Sequence, residues 1–168
     1  DIDDYVIADK LDGISISIKY ENGNFVQALT RGDGQTGEDI SQNVLKMKGV
    51  LQKLKKSYTG HIRGEIVLLK SDHKLYFSDY ANPRNAASGI AKRYDGDGSE
   101  HLTVLFYKSE HPVKYEIDNF KYIESLGLKT PRYQKVSAND VVKVWNEYQD
   151  SIRESLDYEI DGNVISVN

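Results

Sequence analysis

Residues 14–20, Ile-Ser-Ile-Ser-Ile-Lys-Tyr, alternate apolar and polar side chains with period two, the signature of a half-buried strand. Asn22-Gly23 follows, a favoured pair for a tight hairpin turn, and Phe25 to Leu29 returns as a partner strand. Upstream, the apolar stretch Tyr5-Val6-Ile7-Ala8 leads straight into Lys10-Leu11-Asp12-Gly13. Residues 31–37 hold three glycines among polar groups and read as a loop, with a short helix expected from Glu38 to about Leu45. A further strand is expected from Ile62 to Leu69. The small residues of Ala86 to Tyr94 suit a helix, ended by Asp95-Gly96-Asp97-Gly98 before a strand from Leu102 to Tyr107.

The second half is more helical. Ile117, Phe120 and Ile123 share one helical face within Glu116 to Leu126, and Gly127 stops that helix with Pro131 beyond. Val141, Trp145, Tyr148 and Ile152 recur at helical spacing, with Ser137 and Asp140 placed to cap their helix. A hairpin-like segment from Tyr158 to Val167 is expected to turn around Asp161-Gly162. Strands and helices are interleaved, yet the hairpins demand antiparallel pairing. An α+β domain with an antiparallel sheet is therefore expected, not a doubly wound parallel sheet.

Composition narrows the class without naming a function. The 168 residues suit one domain, and 39% hydrophobic with 29% charged residues excludes a disordered chain. No apolar run approaches the roughly 20 residues of a membrane helix. The acidic start Asp1-Ile2-Asp3-Asp4 does not resemble a signal peptide. With no cysteine there is no disulfide, no thiol nucleophile and no Cys-ligated zinc, which is compatible with a reducing cytoplasm. A net charge of −4 argues against nucleic-acid binding over the whole surface. Lysines 46, 48, 53, 55 and 56 nevertheless gather in one stretch, as a solvated face or a patch that tracks phosphates.

The candidate chemistry centres on Lys10. A lysine amine attacks only when neutral, and at an ordinary pKa of about 10.4 it is protonated near pH 7. Burial or neighbouring cations must lower that value, and the preceding apolar strand supplies burial. Asp12 could orient the amine or engage a metal. Arg31, in Thr30-Arg31-Gly32-Asp33-Gly34, can grip phosphate bidentately, and Arg84, in Asn82-Pro83-Arg84-Asn85, can do so at the start of a helix. Neither a P-loop nor a Gly-x-Gly-x-x-Gly dinucleotide site is present. Glu65, in Arg63-Gly64-Glu65, and Asp161, in Glu159-Ile160-Asp161-Gly162, offer carboxylates to ribose hydroxyls or Mg²⁺. Tyr107 can stack on a base. One amine, guanidinium clamps, strand-borne acids and an aromatic suit nucleotidyl transfer through a lysine adduct better than hydrolysis or redox chemistry.

These segments, in this order, resemble the adenylation domain of NAD⁺-dependent DNA ligases, within the covalent nucleotidyltransferase superfamily. The most specific likeness is Asn82-Pro83-Arg84-Asn85-Ala86-Ala87-Ser88-Gly89, and the loop at Thr30 continues it with Thr36-Gly37-Glu38-Asp39. The resemblance implies that Lys10 takes AMP from NAD⁺ as a lysyl-AMP phosphoramidate for sealing nicks in duplex DNA, with Mg²⁺. It further implies that Glu65 holds ribose, Tyr107 stacks on adenine, and Arg31, Arg84 and Lys92 contact phosphate or sugar. Asp161 would lie by the reacting phosphate or, with Glu65, by the metal. An ATP-dependent ligase relative and a non-catalytic subunit of a split ligase stand as alternatives.

Some positions depart from the family pattern. The acid expected two residues before the nucleophile is Ala8, with Asp9 adjacent; a lysine expected after Ile165 is Ser166; Lys92 replaces an arginine. The segment between Glu65 and Asn82 is short. These departures point to a divergent member, with a phage or viral source among the expectations, and a cytoplasmic setting in a bacterial or phage-infected cell. The resemblance also implies a domain over 1–168 truncated at both ends. Missing ligase segments or a partner subunit would then supply nicotinamide-mononucleotide and DNA binding, leaving the isolated chain partly active.

Overall fold

The computed structural model describes residues 3–31 and 36–168. The Gly32-Asp33-Gly34 part of the expected 31–37 loop lies outside the described residues. Among the described residues, seven strands form two antiparallel sheets. The first has the order β6-β1-β7, from β1 (Asp4–Leu11), β6 (Tyr133–Ser137) and β7 (Ile160–Val167). The second has the order β3-β2-β4-β5, from β2 (Ile14–Glu21), β3 (Asn24–Thr30), β4 (Gly60–Val67) and β5 (Thr103–Ser109). The α+β expectation holds, with two sheets where the sequence pattern suggested one.

The period-two pattern of β2 puts Ile16, Ile18 and Tyr20 into the main core, against Ile62 and Ile66 of β4 and Val104 and Phe106 of β5. Helix α3 (Pro83–Ala91) covers that face with Ala86, Ala87, Ile90 and Ala91, whose small side chains allow a close approach. The opposite face of β2 and β4 presents Ser15, Arg63 and Glu65 to the first sheet. Asn22 and Gly23 both take positive φ (49° and 80°), the hairpin turn that Asn-Gly favours. Asp12 and Gly13 carry the chain from one sheet to the other. A Cβ on Gly13 would collide with the Ile66 carbonyl, so this crossing passes directly against β4.

Several boundaries differ from the pattern reading, each for a local reason. The short helix expected from Glu38 is only α1 (Ser41–Val44), because Asp39 and Ile40 are held to β3 by backbone bridges instead. Helix α3 starts earlier than Ala86. The Asn82 carboxamide oxygen accepts from the Asn85 amide at 2.8 Å and Pro83 occupies the first helical position. Helix α2 (Lys70–Tyr76) and strand β6 were not anticipated. Helix α4 (Glu116–Ser125) matches, and Gly127 follows it at φ 93°. The Val141 stripe forms α5 (Val141–Glu147), a π-helical turn (Tyr148–Ile152) and α6 (Arg153–Ser155). The expected cap is replaced: Ser137 donates its hydroxyl to Asp140 at 2.8 Å, and no side chain caps α5.

The largest correction is at the end of the chain. The segment around Asp161-Gly162 is not a hairpin turn but part of the continuous strand β7, paired with β1. Lys10 opposes Gly162 and Leu11 opposes Ile160, so Asp161 is the extra residue of a β-bulge. A second bulge lies in the other sheet. Arg63 opposes Lys108 and Gly64 opposes Phe106, which leaves Tyr107 as the unmatched residue. Gly64 makes this possible, since a Cβ there would lie 2.6 Å from the Leu105 carbonyl oxygen. Gly64→Ala is therefore expected to destabilise the fold by about 1–3 kcal/mol, as overpacking does, seen as a lower midpoint in thermal unfolding. An unchanged midpoint would contradict this packing.

Candidate active site

A cavity of about 560 Å³ opens between the two sheets. Lys10, near the end of the central strand β1, enters from one wall, while Arg31, Glu65 and Tyr107 enter from the other. Because β1 is flanked by β6 and β7, its apolar run is buried; Val6 and Ala8 form part of the cleft wall, and Lys10 on the same face is the exposed side chain of residues 6–11. The bulge in β7 sets Asp161 Oδ1 at 3.6 Å from Lys10 Nζ. Asp12, just beyond, pairs with Arg84 Nε at 3.3 Å. Arg31, Arg84 and Lys92 border an adjoining depression with Gly13, Ser15 and Ser88, where Lys92 also faces Glu38 at 3.8 Å. Of the eight residues singled out from the sequence, Lys10, Arg31, Glu65 and Tyr107 line the cavity, Arg84 and Lys92 border the adjoining depression, and Asp161 and Asp12 are joined to Lys10 and Arg84 by ion pairs.

Glu65 is the electrostatic centre of this group. Burial pushes its carboxyl up to about 7; a hydrogen bond from Ser15 opposes this, the Asp12 and Asp161 carboxylates add to it, and Arg84 opposes it. Tyr107 is also raised, by burial first and then by the Glu65 charge. Ser166 lies on the same cleft wall, paired across the sheet with Val6, so no ammonium stands at that point. Among the described residues no group of three or more His, Asp or Glu is assembled to hold a metal.

Pattern reading did not mark Ser15, Arg63, Lys108, Glu116 or Phe120 as cleft residues, although all line it. Strand alternation carries the signal for two of them. Ser15 and Arg63 share the outward face of their sheet with Glu65, two residues from it on β4 in the case of Arg63. The other surprise is Asp9, which points away from Lys10 and is buried. Tyr158 donates its hydroxyl to Asp9 Oδ2 at 2.5 Å, and the Arg132 guanidinium donates to Tyr148 while lying over its ring. Burial raises the Asp9 pKa against hydrogen bonds from Tyr158 and Tyr148 and the charge of Arg132. Asp9 therefore anchors the back of β1 and does not replace an acid at Ala8.

The raised Glu65 pKa has a measurable consequence. Between its ordinary 4.5 and about 7, the folded chain keeps a proton that the unfolded chain has released. Stability contributed by that proton is lost as pH rises through this window. Glu65→Gln removes the loss, so the variant should gain midpoint temperature relative to the unsubstituted chain between about pH 5 and about pH 8. A difference independent of pH would show that Glu65 ionises normally.

Comparison with known proteins places this geometry in a family. Residues 2–168 match the model of the NAD-dependent DNA ligase adenylation domain. The DNA ligase of Sorangium cellulosum is 44% identical over 167 residues, covering 98% of this chain and 25% of that protein. The DNA ligase of Treponema denticola is 36% identical over 182 aligned positions, covering 96% of this chain and 28% of that protein. The chain thus spans about a quarter of the length of these curated relatives. A solved chain named "Pmar-Lig_Pre." shares the fold, with a TM-score of 0.57 at 16% identity, covering 98% of this chain and 38% of its own. No helix among the described residues is long and apolar enough to cross a membrane. With the family model covering nearly its whole length, the chain belongs to the NAD-dependent DNA ligase adenylation domain family.

Proposed function

We propose that this domain carries the AMP-accepting lysine of an NAD⁺-dependent DNA ligase. The carrying observation is the placement of Lys10 at the mouth of the inter-sheet cleft, 3.6 Å from Asp161, with Glu65, Tyr107 and Arg31 on the facing wall. In this reading Lys10 Nζ attacks the α-phosphorus of NAD⁺. The N–P bond forms, the bond to nicotinamide mononucleotide breaks, and the lysine ammonium has by then released two of its three protons to solvent, leaving a neutral phosphoramidate N–H. AMP then passes to the 5′-phosphate at a nick, and the 3′-hydroxyl displaces it to close the strand, as replication and repair require.

Each cleft residue then has a physical task. Asp161 keeps Lys10 aimed across the bulge, and Tyr107 offers its ring to the adenine. Glu65 accepts from ribose hydroxyls, and Arg31, Arg84 and Lys92 bring positive charge to phosphate or sugar. Asp12 holds Arg84 in place through their ion pair. Glu65 and Asp161 supply the hard oxygen donors that suit Mg²⁺, an ion usually held by one or two carboxylates together with water and substrate phosphate. Bound there, Mg²⁺ would offset the negative charge of the phosphates. The setting is the cytoplasm of a bacterial or phage-infected cell, and the partners are nicked DNA and the ligase segments that bind nicotinamide mononucleotide and duplex.

Intact mass measured after incubation with NAD⁺ and Mg²⁺, with the remaining ligase segments supplied, tests this reading. An increase equal to one AMP is expected, absent in Lys10→Arg and absent when ATP replaces NAD⁺. An increase that persists in Lys10→Arg, or one seen with ATP alone, would overturn it.

A further inference from the structure

The reactive groups occupy only one end of the cleft. Glu65 pairs in register with Leu105, and its carboxyl feels Asp12, Asp161 and Arg84, which places that end next to Lys10. Moving the other way along the sheet, Tyr107 is bulged out and Lys108 follows it, opposite Arg63. There Lys108 Nζ lies 3.5 Å from Glu116 Oε2, the first residue of α4. Both line the same cavity as Lys10 and Tyr107. The Glu116 side chain is only 22% exposed, turned into the cleft rather than out to solvent. One helical turn on, Phe120 closes the cavity by packing with Val6 and Ala8 and stacking on Tyr133 at 4.5 Å.

A nucleotide laid along this cleft with phosphate at Lys10 and ribose at Glu65 brings its base onto Tyr107. The β1 and β7 wall beneath the base presents Val6, Ala8 and Val164, which cannot hydrogen-bond through their side chains, and Ser166, which offers one neutral hydroxyl. Beyond Tyr107 the Lys108–Glu116 pair supplies a charged acceptor and a charged donor side by side, placed to meet the outer edge of the base. We propose that this ion pair is the base-reading element of the domain, with the Glu116 carboxylate accepting from the 6-amino group of adenine and the Lys108 ammonium donating to ring N1. This rests on the nucleotidyl-transfer reading above and adds to it the determinant of base choice.

The chemistry of the pair dictates the preference. A 6-oxo purine puts a carbonyl oxygen against the Glu116 carboxylate and an N1–H against the Lys108 ammonium, so acceptor meets acceptor and donor meets donor. Hydrogen bonds to charged groups contribute enough to discriminate about tenfold or more between matched and mismatched partners. Base recognition would then be carried by α4 and the end of β5, not by the strand that bears the nucleophile.

Calorimetric titration of the 168-residue chain with AMP and with inosine monophosphate tests this without needing nicotinamide mononucleotide contacts. The unsubstituted chain is expected to favour AMP by about tenfold or more. Glu116→Ala should bring the ratio close to one at an unchanged unfolding midpoint, and Glu116→Lys should turn the preference toward the 6-oxo base. A ratio unaltered by Glu116→Ala, or no preference in the unsubstituted chain, would overturn the base-reading role while leaving the Lys10 adduct standing. Failure to bind either nucleotide, together with no lysyl-AMP by mass, would remove both proposals.

Discussion

The site depends on one topological constraint: strand β1 belongs to one sheet and β2 to the other, with only Asp12 and Gly13 between them. This crossing forces Lys10 and Ser15 onto facing walls of the same cleft. Gly13 is required because the chain passes against the Ile66 carbonyl with no room for a side chain. The tetrapeptide Lys10-Leu11-Asp12-Gly13 is thus a structural hinge as much as a chemical motif. Its lysine lies one residue from the end of a buried strand, its leucine joins Val67 and Leu105 in a small core, and its aspartate reaches forward to Arg84.

Two β-bulges complete what the crossing begins. Regular pairing would alternate side chains strictly between the two faces of each sheet. One inserted residue in β7 delivers Asp161 to Lys10, and one in β5, Tyr107, left unmatched between the partners of Arg63 and Gly64, reaches the cavity. The cleft is consequently polarised along its length. Carboxylates and cations crowd the end near Lys10, apolar side chains and Tyr107 fill the middle, and Lys108 with Glu116 marks the far rim. Behind β1, Asp9 accepts from Tyr158, just before β7, and from Tyr148 of the π-helical turn, which ties the strand to both segments.

Much of this was legible in the sequence wherever a local rule operates. The Ile-Ser-Ile-Ser-Ile alternation and Asn22-Gly23 gave the β2–β3 hairpin, and the spacing of Ile117, Phe120 and Ile123 gave α4. Lys10, Glu65 and Asp161 stand out because their motifs are rich in groups suited to phosphate and ribose, and Tyr107 as an aromatic at the end of a strand. What stayed hidden depends on long-range register. Asp161-Gly162 reads as a turn because glycine after aspartate usually makes one, yet pairing with β1 draws it into a strand with Gly162 at φ 153°. Asp9 and Ala8 exchange expectations for the same reason: only the pairing partners decide which face of β1 is the cleft. Glu116 and Lys108 carry no motif at all, being joined by the fold across the β5–α4 connection.

The central claim is that the β1–β7 bulge makes Lys10 the one amine poised to accept the nucleotide. Peptide mapping after exposure of the complete ligase to NAD⁺ and Mg²⁺ tests it most directly, because it reads the site of attachment. The account predicts AMP on Lys10 through an acid-labile N–P bond. AMP found on Lys92, Lys108 or any other lysine, with Lys10 unmodified, would contradict it.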